Sequence, residues 1–498
     1  MACKIATMRA PKTTGWGTAR GASLALFSFL AMATALSTPA QLAGQAPAKA
    51  QPQVTFAKDI APILQRSCQA CHRPNALAPM SLLTYEEARP YAASIKRRTA
   101  IRNRQGTMPP WYIEKDLGIQ HYKNDISLSD EEIAKIATWA DNGAPQGNPA
   151  DMPRPLTFAD AKAWTIGTPD LVVVTPSVSM KAVSPDWWGN AGFGESGLTE
   201  DRYVSAVEIK EVNDTQGKGA AASTTVGGLF IFHHAIMTVE AAGGTGGVNL
   251  GGGWPIHEVG RNADVFSPDA GKLLKAGSRV GFPNVHMHAN GKDTTGHLEV
   301  AFKFHPKGYQ PKMNERTVPI GTGEIDIRGM ETGKKIEAFQ TLSQPTKITV
   351  YEPHMHAAAV RMCLDAIFGS RIETLSCSGY DHSWVRSYQY EDDYAPLLPR
   401  GTILRVTGYY DNTPANRNVV DPRNWSGLGH RSIDNMNILL MQAVTLTDEK
   451  FQEEVAARRE KLKLKPGEDA PGCPLCSFEK IPGLRPTTTA APPRPQQQ

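Results

Sequence analysis

Beyond its N-terminus the 498-residue chain has no apolar run approaching the length of a membrane span, so no second segment is a candidate bilayer helix. It also lacks an excess of either charge. Lys and Arg number 53 and Asp and Glu 49, a net +4, and the basic residues form no stripe, which argues against a nucleic-acid partner. The glycine-rich run "AAGGTGGVNLGGG" at 241–253 has no following Lys-Ser/Thr and no helix pattern. That excludes a phosphate-cradling loop and leaves a flexible connection.

Glycine and proline are plentiful. With 44 Gly and 37 Pro they exceed the usual share of about 12%, which favours a loop-rich β protein. The length predicts two to four domains, each able to bury a core without covalent staples. Lys4, Arg9, Lys12 and Arg20 precede "GASLALFSFLAMATALS", a basic n-region and a short apolar h-region of a secretory signal without a twin-arginine pair. Cleavage is expected between Ala40 and Ala50, giving an exported protein, periplasmic or extracellular, with no stable membrane span. Of the seven cysteines, Cys3 leaves with the signal. Export permits disulfides among the other six.

Composition divides the chain. Residues 1–50 are signal and linker. Residues 54–143 read as helical: "VTFAKDIAPILQRS" sets Phe56, Ile60 and Leu64 on one face, and "SDEEIAKIATWADNG" opens with a Ser129–Glu132 capping box and stops at Asn142-Gly143. Residues 144–157 are a Pro/Gly linker. From about 165 to 446, short alternating runs such as "HLEVAFKF" and "TILRVTGYY" are separated by turn residues, the pattern of antiparallel β-sandwiches. The expected fold is a small all-α domain followed by two antiparallel, jelly-roll-like β-sandwich subdomains at 158–325 and 326–446. Residues 447–498 are a charged helix and a low-complexity tail.

"CQACH" at 68–72 matches covalent haem c attachment: the thiols of Cys68 and Cys71 for the vinyl groups, His72 as proximal ligand. A disulfide or zinc knuckle is the bland alternative. A thioether as sixth ligand suits electron transfer. Met108, in the stiff "GTMPPW", is preferred over Met80, which is only eight residues past His72; His121 is a further alternative. This segment resembles class I-like cytochrome c domains.

Eleven of the thirteen histidines lie between 233 and 430. His354 and His356, in "YEPHMHAAAV", share one face of a strand, and burying two imidazoles requires partners. A second such triplet is "VHMHANG", with His286 and His288; an adjacent pair, His233 and His234, stands in "FHHAIM". Adjacent strand residues point to opposite faces, so that pair reaches one ion only from a bulge or a strand end. His257, His297, His305, His382 and His430 are read as structural. Cys363 and Cys377 are expected to pair across a hairpin turning through Gly369–Arg371, and Cys473 with Cys476 locally.

In order, "FHHAIM", "VHMHANGKDTTG", "PHMHAAA" and "RSIDNMNILLM" resemble the motifs of the copper type II, ascorbate-dependent monooxygenases, the family of peptidylglycine α-hydroxylating and dopamine β-monooxygenases. The whole chain is similar to bacterial proteins joining a cytochrome c domain to that module. The resemblance implies one copper ion held by His233, His234 and His286 (or His288 in place of His286), and a second held by His354, His356 and Met436. It implies two facing sandwiches across a solvent cleft, the first ion relaying an electron and the second using O2 to hydroxylate a C–H bond of a small-molecule or peptide substrate. A thioether favours the reduced copper ion. Where the peptide-amidating enzymes hold a substrate carboxylate with Arg and Tyr, this chain has Glu352 and Leu440, so a different substrate is expected. The expected activity is an exported haem–copper monooxygenase fed through the haem by an upstream donor, with linker 144–157 acting as a tether. The alternative is a non-catalytic electron-transfer or copper-binding protein, and a third is a structural β-sandwich protein carrying a cytochrome.

Overall fold

A computed structural model describes residues 53–74, 78, 80–158, 163–215, 231–242, 253–258, 263–431 and 433–478. The expected signal segment, most of the glycine-rich run and the end of the C-terminal tail lie outside the described residues. Described residues from Val54 onward belong to one compact unit.

The first core is helical. A π-helical turn, Phe56–Ile60, runs into the helix Ala61–Ser67, and the one-face trio Phe56, Ile60 and Leu64 is fully buried. Trp139 of the helix Asp130–Asp141 packs on Phe56 with ring centroids 5.9 Å apart. That helix carries the expected reciprocal cap between Ser129 and Glu132 and ends at Gly143, whose φ of +80° suits a residue without Cβ.

Strands dominate the remainder, and every ladder between named strands is antiparallel among the described residues. In the first sandwich, one sheet centres on Arg202–Asn213 and Thr294–Phe304, the other on Arg279–Met287 and Phe232–Glu240. Their inner faces share a core that includes Val207, Phe232, Phe282, Val300 and Phe302. In the second, Ala359–Phe368, Arg371–Gly379 and Ile403–Asp411 form one sheet, and Thr346–Tyr351 with Asn437–Thr445 the other. Asn314–Gly321 pairs with Asn437–Thr445. This places residue 314 onward with the second sandwich, ahead of the expected boundary at 325/326.

The segment between the helices differs most from expectation. Ile113–Gly118, inside the stretch read as helical, is a strand paired on Arg371–Gly379 of the second sandwich. Trp111, Ile113, Ile119 and Tyr122 belong to that sandwich's core, with Tyr351, Tyr388 and Tyr390. Glu114 and Arg361 form a two-toothed ion pair across the junction. The helical core is thus docked through a strand, and linker 144–157 is not its only attachment.

Both expected disulfides are formed, Cys363–Cys377 and Cys473–Cys476. The hairpin reaches the first by another route. Phe368 pairs with Arg371, so the turn has two residues, Gly369 and Ser370, and not three. A register shift between Leu364 and Asp365 then returns Cys363 opposite Cys377. No helix among the described residues is long and apolar enough to cross a membrane.

Candidate metal centre

Tertiary packing gathers the paired histidines at the junction of the two sandwiches. His286 pairs with His234, but its neighbour Met287 pairs with Phe232. His233 is therefore the extra residue of a bulge. This relieves the conflict between adjacent side chains and one ion: ligand atoms of His233, His234 and His286 lie within 4.8 Å of one another, all three residues buried. His288 stands outside that trio, its ring 5.4 Å from His233. Asp186 Oδ2 lies 3.0 Å from His286 Nε2, and Trp188 stacks on the same ring at 4.8 Å.

His354 and His356 flank Met355 at the strand Pro353–Met355, their rings 5.5 Å apart. That strand pairs with Asn437–Thr445 in a register placing His354 opposite Ile438 and Met355 opposite Asn437. The register ends there, with His356 and Met436 the residues flanking that last pair. Met436 is buried, and its carbonyl accepts a 2.8 Å hydrogen bond from the Tyr410 hydroxyl.

The two sets meet. The His234 and His354 rings are 5.2 Å apart, where the family resemblance implies a solvent cleft. Between them stands Glu258, fully buried, with Oε1 2.9 Å from His354 Nδ1. His382, read from sequence as structural, stacks on His233 at 4.5 Å and lies 5.2 Å from His356. Its carbonyl is 3.1 Å from His233 Nε2. Two of the other unassigned histidines behave more simply: His305 stacks on Tyr309, and His297 pairs with Asp214.

The donor chemistry fits metal ions. Neither ring nitrogen of His356 has a hydrogen-bond partner, nor has His233 Nδ1, His234 Nδ1 or His382 Nε2. Buried imidazole nitrogens left in this way cost free energy unless an ion takes the lone pairs. Burial, reinforced by neighbouring rings, holds His233, His234 and His356 well below the ordinary imidazole range and pushes His382 to about 3. Neutral rings are the form that ligates. His354 moves the other way: burial lowers it, but Glu258 more than compensates. Buried Glu352 adds negative charge beside it, which disfavours an anionic group there.

In the "CQACH" segment, Cys68 and Cys71 are free thiols, not a disulfide. Burial pushes Cys68 up to about 12, so its neutral form dominates. His72 is buried, with Nδ1 3.2 Å from the Met80 carbonyl. That contact orients the ring and leaves Nε2 for a metal, the usual outer partner of a ligating histidine. Met80 also packs against the helical core, as does Cys68. Met108 is 41 % exposed and lines a cavity of about 280 Å³ with Thr99, Trp111, Leu128 and Ile133, the last two also touching the helical core. His121 is stacked on Tyr394 at 3.5 Å and paired with Glu391. It is a surface contact to the second sandwich.

Sequence reasoning missed Glu258 and His382. "PIHEVG" and "YDHSW" carry no spacing signal. The one cue was a carboxylate in a three-residue strand among apolar neighbours, too weak to single out.

No family model matches the chain, and no curated protein matches it. Among solved structures, the chain is similar to infectious bursal disease virus, Gx strain, at 10% identity over 55% of this chain and 71% of that one, TM-score 0.15. Another is procruciferin, an 11S globulin from Brassica napus, at 7% identity over 60% and 91%, TM-score 0.13. Likeness this low carries no argument about fold or function.

Proposed function

We propose that this is an exported haem–copper monooxygenase of the copper type II kind, with a cytochrome c-like domain feeding two jelly-roll-like copper sandwiches. The observation that carries the reading is the convergence of His233, His234 and His286 with His354 and His356, with several buried ring nitrogens unpartnered. His233, His234 and His286 would hold one copper ion; His354, His356 and Met436 the other. When bound, copper supplies one-electron redox chemistry and O2 activation for C–H hydroxylation, which takes two electrons. The chain's own residues do the rest. The bulge at His233 aims two adjacent rings at one point. Asp186 and Glu258 fix the orientations of His286 and His354 by hydrogen bonding. Burial keeps bulk water away and holds the His233, His234 and His356 rings neutral.

The haem segment has a fixed approach to this centre. Gly106 N–H donates to Asp381 Oδ2 at 2.9 Å, two residues from Met108, and Asp381 precedes His382, which stacks on His233. Cys68, Cys71 and His72 would hold haem c, and Met108 or Met80 would supply the sixth ligand. The docked strand supports the haem as immediate electron donor, replacing diffusible ascorbate; the upstream donor and the substrate carry no signal here.

Metal analysis and O2 uptake of the exported protein test this. One iron and two coppers per chain are expected, with O2 consumption coupled to a hydroxylated product, lost in Met436→Ala while the haem spectrum is unchanged. Zinc in place of copper would overturn it. A second reading, a copper-binding or electron-transfer protein without catalysis, is favoured by the closed centre, where no ring of the five proposed copper-ligating histidines exceeds 6 % exposure. Copper without product formation would select it.

A further inference from the structure

The centre contains a second ligand group that neither proposed copper set explains. Ligand atoms of His234, Glu258 and His354 lie within 4.8 Å of one another, all buried. The three come from separate places. His234 and Glu258 are directly opposite on paired strands of the first sandwich, where cross-strand side chains meet. His354 is delivered from the second sandwich. The site therefore exists only when the two lobes are together.

Glu258 is fully buried. Its Oε1 meets His354, while Oε2 has no hydrogen-bond partner, and neither has His234 Nδ1. A buried carboxylate with one oxygen unsatisfied is costly. A cation among the three groups would satisfy the carboxylate and the free imidazole together. Two imidazoles and one carboxylate, without sulfur, make a donor set for a borderline divalent ion. Reduced copper prefers softer ligands.

We propose that His234, Glu258 and His354 form an inter-lobe site for a divalent first-row cation of the zinc or ferrous class. The proposal shares two histidines with the copper reading but needs no oxygen chemistry. An ion bound here takes one ligand from each copper set. It fastens the lobes in the closed arrangement and competes with copper loading, so zinc acts as an antagonist of the copper form. No redox step is involved: the ion displaces any proton on the ligand nitrogens and is held by charge and lone pairs.

The test uses the full-length chain stripped of copper and titrated with Co2+ as a spectroscopic stand-in for zinc, comparing wild type, Glu258→Gln and Glu258→Ala. Far-UV circular dichroism checks the fold, and the isosteric Gln variant guards against a cavity effect. The wild type should bind one Co2+ with visible d–d bands that both variants lose or weaken, affinity falling at least ~10-fold as for a lost metal partner. Prior Zn2+ loading should slow copper uptake in wild type and not in Glu258→Ala. Wild-type affinity and spectrum in both variants would overturn the site and leave Glu258 as a hydrogen-bond acceptor that orients His354. The result is independent of the monooxygenase reading: Glu258-dependent Co2+ binding in a chain that takes no copper sinks that reading and keeps this one. Two coppers with Glu258-independent Co2+ binding do the reverse.

Discussion

Suppose the segment 144–157 is doubled in length by a Gly/Ser insert after Asp151. If the helical domain were a tethered donor, its effective concentration at the proposed copper centre would fall as about the −3/2 power of tether length. Haem reoxidation would then slow about threefold. The structure argues for a different outcome. Trp111, Tyr112, Ile113, Ile119 and Tyr122 are each at most 6 % exposed at the junction. At roughly 2 kcal/mol per buried side chain they contribute on the order of 10 kcal/mol to docking, an upper figure given a compact unfolded chain. Backbone bonds from Ile119 N–H to the Leu375 carbonyl (2.8 Å) and from Gly379 N–H to the Tyr112 carbonyl (2.9 Å) fix the register. Doubling a loop costs only about 0.6 kcal/mol, so the docked state persists. Stopped-flow reoxidation of reduced haem by the cupric protein should therefore be unchanged by the insert. Trp111→Ala alone, losing about 3–5 kcal/mol of packing, leaves the domain docked; adding Ile113→Ala and Ile119→Ala, for a loss of about the whole docking term, should slow it. A threefold fall with the insert alone would refute the docking argument and restore the tether.

Replacing Met108 by Ala should abolish the thioether-to-iron charge-transfer band if that side chain is the sixth ligand, and Met80→Ala should leave it; the reverse outcome would move the ligand to Met80. Removing Cys363 and Cys377 together should lower unfolding free energy by about 3 kcal/mol, from a closed loop of about 15 residues, read by urea denaturation under oxidising conditions. Lys272 is pushed down to about 8 by burial, although Glu315 and Asp264 pull it up. Between that value and its unfolded value the unfolded chain binds more protons, so stability should rise from pH 8 to 10.5 by about 3 kcal/mol. Lys272→Met should flatten that slope in thermal melts across the range, and an unaltered slope would assign it elsewhere.

Local patterns carried much of the architecture. The capping box at Ser129, the Phe56–Ile60–Leu64 face and the alternating strands are interactions between chain neighbours, and each is written in a few adjacent residues. The same holds for "CQACH" and for the i, i+2 spacing of His354 and His356. The need for a bulge at His233 was also legible, because adjacent strand side chains must diverge; its location in the register was not. Ile113–Gly118 read as part of a helical stretch because its own sequence, with three charges, lacks an apolar stripe. It becomes a strand by completing the edge offered by Arg371–Gly379. Glu258 and His382 enter the centre through pairing and packing with residues about 25 to 150 positions away.

The sequence by itself determined the paired histidines as ligand candidates, the helical and stranded regions apart from Ile113–Gly118, and which thiols pair. Those are consequences of local sterics, hydrophobic period and donor type. Only the tertiary structure decided that the two histidine sets touch, that a carboxylate stands between them, and that the helical domain is docked through a strand. Such contacts depend on apolar surface buried between distant segments, and no short stretch of chain encodes that.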